Sequence, residues 1–83
     1  MSFNLLTSQQ KKVILEKSKA ERMLVLYEML LLCELNPETF VLEKNSSVLA
    51  PYLEETHGLY HVASDAQRIV NLIIDIDSIL AQI

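Results

Sequence analysis

The chain has 83 residues, 51% of them apolar, with one glycine, two prolines and a net charge of −4. So little glycine and proline argues against a sandwich or barrel of this length, whose tight turns need both. The 30 Leu, Ile, Val and Phe residues argue equally against a disordered chain. What remains is an all-α fold, read as a single helical domain over 1–83. A core this small hides only ~60–65% of the unfolded surface, and the lone Cys33 can form no internal disulfide. Self-association or a partner protein is the expected further support.

Residues 1–7 lack the basic start, apolar stretch and cleavage site of a secretory leader. The densest apolar run, Met23–Cys33, is broken by Glu28 and falls short of the ~20 residues that cross a bilayer. The expectation is a soluble, cytoplasmic protein with no membrane span.

The first element is a long helix over about 8–35. Thr7 followed by Gln10 forms a capping-box pattern at its start, and no Gly or Pro interrupts it before Pro37, the expected stop. Glu16 with Lys12 and Lys19, and Lys17 with Glu21, have the spacing of exposed pairs. Residues 9–22 are weakly amphipathic, with Val13, Ile14 and Ala20 expected to face inward. Residues 23–33 are apolar on nearly every side and so demand cover on every side. A straight helix of that length exceeds the width of a compact small domain, which favours a second copy over one end.

In the middle, Asn36-Pro37-Glu38-Thr39 suits either a turn or a new helix start. Phe40, Val41 and Leu42 are expected to anchor a short segment on the core. Asn45-Ser46-Ser47 reads as a loop, with Ser47 capping a short helix Val48–His57, Pro51 in its first turn and Gly58 just past its end.

The last element is a helix over about 65–82, opened by a second hydroxyl-to-Gln pattern, Ser64 to Gln67. Ile69, Ile73, Ile76, Leu80 and Ile83 step by four and three, the spacing of a bundle seam. The β-branched run Arg68–Asp77 also permits a strand, but no second strand exists to pair with it. The predicted architecture is a helical hairpin or three-to-four-helix bundle with one or two short helices in the middle, dimerising.

Chemistry is sparse. His57 and His61 have the i, i+4 spacing of metal ligands, but Gly58 between them is expected to end the helix and spoil the alignment. Nucleophile-elbow and phosphate-loop motifs need glycines this chain does not have. Asp75 and Asp77 point apart on a helix, and Cys33 in an apolar run is expected to be inert, its pKa raised. No enzyme activity and no cofactor are expected. Lys11, Lys12, Lys17, Lys19 and Arg22 make a basic stripe diluted by Glu16 and Glu21 and carrying no aromatic to stack on bases.

The informative features are the two apolar tracts. Met23, Leu24, Tyr27, Met29, Leu30 and Leu31 in the first, and Ile69, Ile73, Ile76, Leu80 and Ile83 in the second, are the candidate interface. The expected function is a small non-catalytic protein–protein interaction module (adaptor, chaperone-like or inhibitor), acting as a homodimer and on another protein. The alternative is a regulatory nucleic-acid- or metal-responsive module using the Lys11–Arg22 stripe or His57/His61.

Overall fold

The computed structural model describes residues 5–83; Met1 to Asn4, the start of the segment read as lacking a leader, lie outside the described residues. Helix α1 spans Ser8–Leu32 and α2 spans Tyr60–Leu80, with a 3-10 turn at Ala50–Tyr52 between them and no strand among the described residues. The fold is all-helical, two helices packed against each other.

The start of α1 is the one its sequence encodes. Gln10 N–H donates to Thr7 Oγ1 (3.1 Å) while Thr7 N–H donates to Gln10 Oε1 (2.8 Å), a reciprocal capping box. Its end is not where proline would put it. Glu34 turns left-handed, with φ of 59°. Glu34 N–H then donates to Leu31 O and Leu35 N–H to Leu30 O, closing a Schellman cap. The helix stops at Leu32, and Pro37 instead sits in a turn where Asn36 Oδ1 accepts from Glu38 N–H at 2.9 Å.

The two helices run antiparallel. Lys19 Nζ meets Asp77 Oδ1 at 2.7 Å, setting the last turns of α2 beside the middle of α1. The later half of α1 therefore lies along the earlier half of α2, and there the core forms from Leu26, Leu30, Ala63, Ala66, Val70 and Ile73. Lys19 thus crosses to α2 rather than pairing with Glu16.

The expected helix Val48–His57 is absent. Residues 33–59 instead form a strap laid over the helix pair, with Leu49 fully buried and Phe40, Leu42, Tyr52 and Leu53 packed on the core. Ser46, not Ser47, makes the cap: its hydroxyl accepts from Leu49 N–H (3.2 Å). Tyr52 OH reaches the carbonyl of Cys33 (3.3 Å) and ties the strap to the end of α1. Gly58 has an ordinary negative φ, so no helix end calls for it there.

Helix α2 begins five residues before the expected 65, with Ser64 already inside it. Its buried stripe is Ala63, Ala66, Val70, Ile73 and Ile76. Extending the helix back to Tyr60 brings Ala63 into that stripe, and burial outweighs the cap signal at Ser64.

Candidate interaction surface

The inner and outer faces of α1 follow the same heptad rhythm. Inward, Leu26, Leu30 and Cys33 are buried, with Leu15, Lys19, Arg22 and Met23 half-buried ahead of them. Outward, Val13, Lys17, Ala20, Leu24, Tyr27 and Leu31 step by four and three, and every one is exposed. Leu24 is 65% exposed, Leu31 62% and the neighbouring Leu32 63%. With Val13 and Tyr27 they make a run of exposed apolar side chains along α1. Val13, Ile14 and Ala20, expected to face inward, belong to this outer side. The reason is the inward pull of Leu26, Leu30 and Cys33, which fixes the rotation of the whole helix.

The sequence-derived interface residues divide in three. Leu30 and Ile73 are fully buried and Ile76 nearly so, all inside the single chain. Met23, Met29, Ile69 and Leu80 are half-buried, with Met23, Met29 and Ile69 packed against the core. Leu24, Tyr27, Leu31 and Ile83 are the exposed members. The first three come together on one face of α1; Ile83 lies beyond the end of α2.

Two shallow clefts mark the ends of that outer face. One, of about 300 Å³, is lined by Leu6, Gln9, Gln10, Val13 and Ile14 at the start of α1. The other, of about 360 Å³, lies between Tyr27 and Leu31 and the turn Asn36-Pro37-Glu38. Lys17 and Glu28, eleven residues apart and so on one line of the helix, are exposed and join none of the ion pairs seen among the described residues.

The other candidates do not converge. His57 lies in the turn before α2, its Nδ1 accepting from Leu59 N–H at 3.0 Å, while His61 is on the first turn of the helix. Among the described residues no three His, Cys, Asp or Glu side chains are grouped to hold a metal. The basic stripe is split: Lys19 is engaged with Asp77, and Arg22 is turned back on Ser18 Oγ at 2.6 Å. Burial pushes the Cys33 thiol above its ordinary pKa, which disfavours the nucleophilic thiolate. Asp75 leaves the helix for Lys44 of the strap (2.7 Å) and Asp77 for Lys19, so the two carboxylates serve different partners.

One residue with a large structural role escaped sequence reasoning. Gln67 donates from Nε2 toward the carbonyls of Glu43 (2.8 Å) and Lys44 (2.9 Å), and its Oε1 accepts from Ser46 N–H (3.1 Å). Its apparent role as a helix-opening Gln concealed this; no local signal marks a side chain whose partners lie over twenty residues away.

No helix among the described residues is long and apolar enough to cross a membrane. No known protein family, curated protein or solved structure matches the chain.

Proposed function

We propose that this chain is a small, non-catalytic, cytoplasmic interaction module, an adaptor, chaperone-like or inhibitor protein that works by binding other chains, its own copy included, through apolar helix faces. The observation that carries the reading is the outer face of α1, where Leu24, Leu31 and Leu32 each stay more than half exposed although the core beneath is complete. Covering such side chains returns about 25 cal/mol per Å² of apolar surface removed from water, and an amphipathic helix laid in a groove is a recurrent way to do it. Cover from a second chain would also supply the bundle that one copy of two helices lacks.

The test compares the wild type with Leu24→Glu/Leu31→Glu in affinity capture from lysate of the native cell. Both positions face solvent, so the variant keeps its helicity and melting temperature. The expected result is a set of proteins retained by the wild type and lost from the variant. Identical capture by both chains, or no capture by either, overturns binding to another protein through this face.

A further inference from the structure

We propose that the outer face of α1 is a self-complementary seam on which a second copy of this chain docks antiparallel. This deepens the functional reading above by naming one occupant of the same face. In such a pairing, a two-fold axis midway between Ala20 and Leu24 places Ala20 opposite the partner copy's Leu24, a small side chain against a large one. The same operation sets Val13 opposite Leu31 and brings Ile14 alongside Leu32, so exposed apolar residues at one end of α1 cover those at the other. The cleft at Leu6–Ile14 and the cleft at Tyr27–Glu38 are brought onto each other. Each of these side chains except Leu6 and Pro37 is exposed in the single chain.

Charge selects the direction. Lys17 and Glu28 lie on the same flank of the seam, and the antiparallel register sets each against its opposite on the other copy. By symmetry the pair forms twice. A parallel arrangement would instead leave Lys17 and the partner copy's Glu28 eleven residues apart along the helices, so neither pair could form. Exposed apolar side chains run the length of this seam, from Val13 through Leu24 and Tyr27 to Leu31.

The experiment is sedimentation equilibrium of the full chain, its Lys17→Glu and Glu28→Lys variants, and the double charge swap, with a helical melt to verify that all four fold alike. A dimer is expected for the wild type. Each single reversal breaks two ion pairs and creates two like-charge contacts, so the dimer dissociation constant rises about tenfold or more, and the double swap returns it close to the wild-type value. A wild type that stays monomeric at hundreds of micromolar overturns the second copy as occupant, while capture of another protein stands or falls on its own test. A dimer indifferent to either reversal, or one the swap fails to restore, overturns this seam and its antiparallel register.

Discussion

Leu30 and Leu31 are neighbours of the same type with opposite fates: Leu30 is sealed in the core and Leu31 is 62% exposed. The contrast extends along both faces of α1. The inner line runs through Leu26, Leu30 and Cys33 against α2 and the strap; the outer line through Leu24, Tyr27 and Leu31 stays exposed and takes no part in the core. Hydrophobicity alone therefore does not assign a face. The rotation of α1 is decided by which line finds small partners, and α2 presents Ala63 and Ala66 to it.

Truncating each leucine in turn tests this contrast most strongly. Leu30→Ala is expected to cost about 3 kcal/mol, lost burial plus the cavity left behind, whereas Leu31→Ala should change monomer stability by less than ~0.5 kcal/mol. Urea melts at a concentration low enough to keep the chain monomeric measure both; equal losses would erase the distinction between the faces.

A second comparison sets the strap against the helices. Gln67 gives the strap three hydrogen bonds to α2, so Gln67→Ala is expected to destabilise by about 1–2 kcal/mol, the worth of those lost bonds. Backbone amide exchange at Ser46 should quicken far more than at Val70 or Ile73. Uniform acceleration would mean that the strap and the helix pair open as one.

The smallest expected effect is a gain. Glu34 adopts a backbone conformation that L-residues other than glycine enter at a cost, so Glu34→Gly should raise stability by about 0.5–1 kcal/mol. A thermal melt that falls instead would mean the glutamate side chain contributes more at the cap than its backbone conformation costs.

The all-helical class and the start of α1 were legible because composition and the Thr7/Gln10 box act locally. The C-terminal stop was misplaced because Glu34 does the work normally left to glycine, and nothing in its identity announces that. The helix expected over Val48–His57 gave way to tertiary anchors: Leu49 in the core, Ser46 on Leu49, and Tyr52 on the carbonyl of Cys33. Such anchors outweigh weak helix propensity. At the candidate surface, the apolar excess of Met23–Leu35 was readable from sequence, but its division into core and outer seam was not. That division depends on the phase of the helix, which α2 sets from over thirty residues away.

The strap has a kinetic consequence. Its bonds to Gln67 join residues 21 to 24 positions apart, so a long loop must close before any of them forms. Helix pairing can precede that closure, which makes residues 33–59 a natural late step in folding and an early one in partial opening. The contacts that close the strap, Gln67 on Glu43, Lys44 and Ser46, Lys44 on Asp75 and Tyr52 on the Cys33 carbonyl, all lie away from the outer seam of α1, so the order in which the strap closes does not alter that seam.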